Sequence, residues 1–255
     1  MPIDITSDRP VFKQIADHYR DEITRGVLRA GAALPSESQM VKTFGVSGGT
    51  VRRALDLLRA EGLVVTEHGR GTRVRERGAV VRLASQRLTR ANRAAGLGGF
   101  AADMRALGLD YKQEVLYLGN VPAPAEVSER LDVSAEAPVF ARRRRMWGGG
   151  VPMQLADSYY PLDLVEGTPI VEEDAGPGGS YARLEERGHR LASFREELQA
   201  RMPTEDEKKS LRLLPGVPVV SLIRTAIDTG GRAVEVFVSI VAADKHVFQY
   251  DFSAD

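Results

Sequence analysis

The residues with the most chemical potential fall into a few clusters. Gly45-Val46-Ser47-Gly48-Gly49 has the Gly-x-Ser-x-Gly form of a nucleophile elbow. An elbow needs a strand before its serine and a sharp turn into a helix. Here Met40, Val41 and Phe44 come first at helical spacing, so Ser47 is expected to cap a helix rather than attack a carbonyl. His18, His68, His189 and His246 are isolated, no two at metal-ligand spacing, and no metal is expected. The absence of Cys excludes disulfides, thiolate zinc sites, iron–sulfur clusters and Cys nucleophiles together. Gly148-Gly149-Gly150 and Gly176-Pro177-Gly178-Gly179 lack the strand-then-helix frame of a nucleotide site and read as turns. No catalytic residue and no cofactor follow from these clusters.

Two charged features remain. Arg142 to Arg145 lie in a β-prone run, where alternate side chains share a face: Arg143 with Arg145, and Arg142 with Arg144. One pair can face inward while the other is solvated. The other reading is a solvated basic strand that discourages edge pairing. Glu235 sits among Val234, Val236 and Val238, and a carboxylate on a buried strand needs a partner. Arg224 is one candidate, and an amine or hydroxyl of a ligand is the other.

Charge is uneven along the chain. Lys plus Arg and Asp plus Glu are 35 each over 255 residues, yet residues 1–100 hold 17 bases and 10 acids. A local polyanion-facing surface fits that bias, and a uniformly basic coat is excluded. The apolar share of 43% is enough to bury a core. The first residues lack the pattern of a secretory signal, and no apolar run reaches the ~20 residues of a membrane span. A cytoplasmic globular protein is expected.

These residues need elements to hold them. Phe12, Ile15, Ala16, Tyr19 and Ile23 predict a first helix from Pro10 to Gly26. Ser36 and Gln39 fit a capping box for a second, Gly45 permits a tight turn, and Ser47 caps a third with Val51, Ala54, Leu55 and Leu58 inward. Two short helices joined by such a turn form a helix-turn-helix pattern. Leu63 to Thr66 and Thr72 to Arg75 are β-prone arms around a basic, Gly-rich tip. The third helix would offer its positive N-terminal end to a DNA duplex. Gly48 and Gly49 would allow close approach, Thr50 and Arg52 would reach base edges or phosphates, and His68, Gly69 and Arg70 would enter the adjoining groove.

The runs Leu34-Pro35-Ser36-Glu37, Phe44-Gly45-Val46-Ser47, Thr50-Val51-Arg52-Arg53-Ala54-Leu55, Glu61-Gly62-Leu63-Val64 and Gly69-Arg70-Gly71-Thr72-Arg73-Val74 resemble the winged helix of the GntR family of bacterial transcription regulators. The resemblance implies DNA contacts from Ser36, Glu37, Ser47, Gly48, Gly49, Thr50, Arg52, Arg53, His68, Gly69, Arg70 and Thr72. Two positions depart from it: Ser38 and Gly48 stand where many members carry Arg. The burden of base reading then shifts to Thr50, Arg52, Arg53 and the wing.

From about Gly99 the pattern changes to strands joined mainly by hairpins and interrupted by short helices, which implies an α+β unit with a largely antiparallel sheet. Ser158-Tyr159-Tyr160-Pro161, Ser180-Tyr181-Ala182-Arg183-Leu184, Leu213-Leu214-Pro215-Gly216-Val217-Pro218-Val219, Arg224 and Val234-Glu235 follow in order. Together they resemble the effector-binding UTRA domain of the HutC branch, which is similar in fold to chorismate lyase. That resemblance implies a small anionic ligand held by Phe100, Arg143, Arg145, Ser180, Tyr181 and Glu235. The expected organisation is a winged helix over 1–77, a linker or crossover over 78–98, and an effector-binding and dimerisation domain over 99–255. The expected function is a ligand-responsive repressor that binds an inverted-repeat operator as a homodimer. The alternatives are a DNA-binding protein whose second domain only dimerises, and a lyase-like enzyme.

Overall fold

The computed structural model describes residues 3, 4, 6–67, 71–75 and 80–252. The chain divides into two units. One comprises residues 1–78 with 214–217, the other 79–213 with 218–255.

In the first unit, α1 (Val11–Thr24), α2 (Glu37–Phe44) and α3 (Gly48–Ala60) precede an antiparallel ribbon of β1 (Val64–Glu67) and β2 (Gly71–Val74). The local signals act as their chemistry dictates. Ser36 and Gln39 form the reciprocal capping box at the start of α2. Gly45 ends that helix at φ 63°, in the left-handed region that suits glycine. The Ser47 hydroxyl accepts the Thr50 amide at 3.2 Å and so starts α3. Ile15, Tyr19, Met40, Phe44, Val51, Leu55 and Leu58 come together as the core, with Val64 and Val74 of the ribbon. The wing tip residues His68, Gly69 and Arg70 lie outside the described residues.

In the second unit the chain runs β3 (Val80–Leu83), α4 (Ala84–Arg87), α5 (Arg90–Ala94), α6 (Gly99–Ala106), β4 (Tyr111–Pro122), α7 (Ala125–Leu131), β5 (Pro138–Gly148), β6 (Val151–Pro161), α8 (Leu162–Val165), α9 (Gly179–Glu186), β7 (Leu191–Arg201), α10 (Glu205–Leu211), β8 (Val219–Asp228), β9 (Ala233–Ala242) and β10 (His246–Gln249). Six strands form one antiparallel sheet in the order β4-β5-β6-β9-β8-β7. The short β10 pairs with β3 in parallel, apart from that sheet. The β5–β6 turn places Gly149 and Gly150 at φ 55° and 79°, the pair of left-handed residues that a two-residue hairpin requires.

Both faces of the sheet are covered. Phe140, Tyr160, Leu184 and Ala226 pack with Leu164 and Ile170 on one face, and Met146, Ala156, Leu222 and Phe237 pack there with Phe100 and Met104 of α6. On the other face Val139, Ala141, Tyr159 and Val236 pack against Val127 and Leu131 of α7.

Residues 80–94 are not a loose linker. They form β3, α4 and α5, and three of their arginines are buried. Each meets an acid that is distant in sequence. Arg82 lies 3.4 Å from Glu196, Arg87 2.8 Å from Asp103 and Arg93 2.9 Å from Glu185. Among the described residues, no helix is long and apolar enough to cross a membrane.

Candidate functional site

The first candidate surface is the N-terminal end of α3. Val51, Ala54, Leu55 and Leu58 are buried, which turns Arg52 and Arg53 outward. The Arg52 side chain is 66% exposed. Its ties are weak: a 3.8 Å approach to Glu37 of α2 and a 3.4 Å bond from Nε to the Gly48 carbonyl. Arg53 lies over the Phe12 ring at 4.3 Å. That contact is made by the guanidinium itself, and the residue stays exposed. Thr50 Oγ1 is 2.9 Å from Ser47 Oγ, so both hydroxyls serve the cap as well as any ligand. A Cβ added at Gly48 or Gly49 would meet only side-chain atoms, at 3.7 and 3.8 Å. Those two positions leave the backbone amides of the first turn approachable. In the ribbon, Thr72 is half-buried and bonds Thr66 across the strands at 2.9 Å. Ser47 follows a helix rather than a strand, so it lacks the frame of a nucleophile elbow.

The second candidate is a cavity of about 570 Å³ on the α6-facing side of the sheet. Phe100, Ser180, Tyr181 and Glu235 line it. Arg143 and Arg145 do not, and that expectation is corrected: the pair at the cavity is Arg142 and Arg144. Arg143 and Arg145 lie on the opposite face, where Arg145 pairs with Glu114 at 2.7 Å and Arg143 lies over Tyr117 at 5.4 Å. The sequence could not fix this register. Val139 and Ala141 are as buried as Phe140 and Met146, so both faces of β5 read as apolar.

The Arg142 guanidinium reaches the carbonyl oxygens of Ile170, at 3.2 Å, and of Glu172 and Glu173. Arg144 donates to Ser158 Oγ at 2.7 Å and to Gln113 Oε1 at 3.5 Å. Neither forms an ion pair among the described residues, and the Nε of each is buried without a hydrogen-bond partner. Burial pulls the Arg142 guanidinium below its ordinary range, and the nearby Arg144 charge adds to that.

Glu235 is 3% exposed, and its partner is not Arg224. Tyr160 donates to one carboxylate oxygen at 2.7 Å, and Tyr181 donates to the other. Burial raises both phenols far above their usual range, and the Glu235 charge pushes the same way, so both hydroxyls keep their protons and donate. Arg224 instead donates from Nε to the Tyr181 oxygen at 3.1 Å and lies 3.5 Å from Glu196. Burial alone would lower Arg224, but Tyr181, Glu235 and Glu196 outweigh it and hold it above its ordinary value. Sequence reasoning missed Tyr160, Arg87 and Gln154, which also line the cavity. Tyr160 had a visible signal, since it lies beside Ser158 in a run quoted for its resemblance. Arg87 had none, because its segment reads as polar crossover.

Among the described residues, no group of three or more His, Asp or Glu could hold a metal. A small head with an exposed basic helix end, and a body with a polar cavity, define a ligand-responsive DNA-binding regulator.

Comparison with known proteins gives the family. The gntR family model of bacterial regulatory proteins matches residues 12–74, and the UTRA domain model matches residues 106–247. The chain therefore belongs to the GntR family of bacterial transcription regulators, with the HutC-type pairing of winged helix and UTRA domain. An HTH-type transcriptional regulator of Streptomyces coelicolor is 34% identical, over 95% of this chain and 93% of its own length. The mannosyl-D-glycerate transport/metabolism system repressor MngR of Escherichia coli is 27% identical, over 94% and 95%. A crystal structure assigned to the GntR family superposes with TM-score 0.68 at 26% identity, over 97% of this chain and 99% of that one. PhnF of Mycobacterium smegmatis, at 23% identity and TM-score 0.59, shares the fold over 96% of this chain and 100% of its own. The protein is thus a transcriptional regulator and not an enzyme.

Proposed function

We propose that the protein is a repressor. Two copies bind an inverted-repeat operator through α3 and the wing, and a small anionic metabolite in the second unit's cavity releases them. The observation that carries this reading is Arg142 and Arg144 turned into a half-open cavity with only neutral hydrogen-bond partners. A buried guanidinium and a half-buried one, neither in an ion pair among the described residues, favour an anion between them. Two relatives are repressors by name, and the name of one couples it to mannosyl-D-glycerate, itself a carboxylate. On the DNA side, Ser36, Glu37, Ser47, Gly48, Gly49, Thr50, Arg52, Arg53 and Thr72 supply contacts, with His68, Gly69 and Arg70 from the wing tip. In the cavity, Phe100, Ser180, Tyr181 and Glu235 frame the ligand beside Arg142 and Arg144. The working compartment is the cytoplasm, where the operator is.

Footprinting tests the assembly. Two equivalent protected half-sites, about 10 base pairs centre to centre or a multiple of that, are expected. Protection of a single asymmetric site by one copy would overturn the dimer. A metabolite panel read by melting temperature and by DNA release tests the cavity. If no compound shifts either, the second unit only holds two copies together.

A further inference from the structure

The cavity has a wall that the strand arginines do not explain. Arg87, the last residue of α4, is 5% exposed and lines the cavity. Its guanidinium is bound along one edge only: NH2 to Asp103 Oδ2 at 2.8 Å and Nε to Oδ1 at 3.3 Å. The other terminal nitrogen, NH1, is buried and has no hydrogen-bond partner among the described residues. Buried guanidinium nitrogens left unbonded are costly, and native proteins seldom keep them without a use.

The position is built, not incidental. Gly99, the first residue of α6, lies directly against that guanidinium. A Cβ there would stand 3.3 Å from Arg87 NH2, 3.4 Å from Cζ and 3.0 Å from Leu88 Cδ2. Any side chain at 99 would crowd the arginine, so the glycine makes its place. Asp103, one turn further along α6, fixes the guanidinium plane through NH2 and Nε. Burial first and then the Arg87 charge pull Arg82 down to about 9, and Arg82 and Arg224 share the carboxylate of Glu196. Asp103, Glu196 and Glu235 are the acids that act on these three arginines, and none of them reaches Arg87 NH1.

We propose that Arg87 is a specificity-determining residue of this cavity: its NH1 takes an oxyanion of the effector, a carboxylate or phosphoryl oxygen, which completes the guanidinium's hydrogen bonding and ties α4 to α6. This rests on the reading that the cavity takes an anionic effector. A ligand held by Arg142 and Arg144 alone would leave the Arg87 nitrogen unbonded. The effector consequently carries negative oxygens at two places, or one group broad enough to meet both walls. A cationic amine is disfavoured at the Arg87 end.

Titration calorimetry with inorganic phosphate and with malonate, on the full chain, tests this and separates the two oxyanion sources. The variant is Arg87→Met with Asp103→Asn, which removes the ion pair together and leaves no lone buried charge. At least a tenfold loss of affinity for the better of the two anions is expected, with operator affinity unchanged in the absence of anion. Should that variant not fold, Gly99→Val replaces it, because its methyl groups take the guanidinium's place, and the same loss is expected. Wild-type affinity in the folded variant would overturn the role of Arg87. If Arg144→Gln abolishes binding while the Arg87 variant binds normally, the cavity reading stands and this inference fails. If neither anion binds the wild-type chain, both fail.

Discussion

At the scale of single residues, the two candidate surfaces differ in how firmly their side chains are held. Arg52 is exposed and tied only by a 3.8 Å approach to Glu37 and a 3.4 Å bond to the Gly48 carbonyl, so it can leave those contacts for a phosphate or a guanine edge. Arg52→Ala is expected to lower operator affinity by about 1–3 kcal/mol if the residue reads a base. A gel-shift titration with matched and scrambled sites checks it, and equal loss on both would mark Arg52 as a phosphate contact instead. Glu235 is the opposite case. Its carboxylate accepts from two tyrosines in the interior, so Glu235→Ala removes a structural acceptor along with any ligand contact. That variant is expected to lose about 1–3 kcal/mol for each hydroxyl left without a partner, measured by urea unfolding. Its operator affinity should hold while induction is lost, because the first unit's core contains none of these residues.

At the scale of elements, the helix-turn-helix depends on short signals. Ser36→Ala removes one half of the α2 capping box and should cost about 0.5–2 kcal/mol. Gly45→Ala keeps the space free but forces a Cβ into the left-handed region, at roughly 1–2 kcal/mol. Thermal melting followed by far-ultraviolet circular dichroism measures both, and the turn variant should also weaken DNA binding by tilting α3. These devices were legible because caps and turns are decided by residues three or four apart. The β5 register was not legible. Alternation identifies two faces, but only the partners across the sheet decide which one meets the cavity. Ser158 opposite Arg142 and Ala156 opposite Arg144 are such partners, and they come from the next strand.

At the scale of the whole molecule, stability should depend on pH through His246. Burial first, then Arg82, Arg87 and Lys245, hold its imidazole down at about 4, against the ordinary 6.5, while its Nδ1 bond to the Ala242 carbonyl opposes the shift. The folded state therefore favours the neutral ring. Above pH 6.5 both states are neutral and the full contribution is present. As pH falls from 6.5 towards 4, the unfolded chain takes up the proton first, and stability drops by about 3 kcal/mol. Urea midpoints between pH 7.5 and 4.5 check this, and His246→Gln should flatten that part of the slope.

The sequence by itself determined the three-helix head, its caps and turns, the ribbon arms and the antiparallel character of the second unit. Each of these is written in periodicity or in local hydrogen-bond chemistry, which act between near neighbours. Tertiary structure decided which arginines face the cavity, that two tyrosines and not Arg224 hold Glu235, and that residues 80–94 pack as β3, α4 and α5. In each case the deciding partner lies far along the chain: Tyr160 and Tyr181 for Glu235, Asp103 for Arg87, Glu196 for Arg82. A buried charge needs an opposite charge or a set of hydrogen-bond acceptors beside it. A composition that reads as a polar crossover therefore becomes core once folding supplies that group.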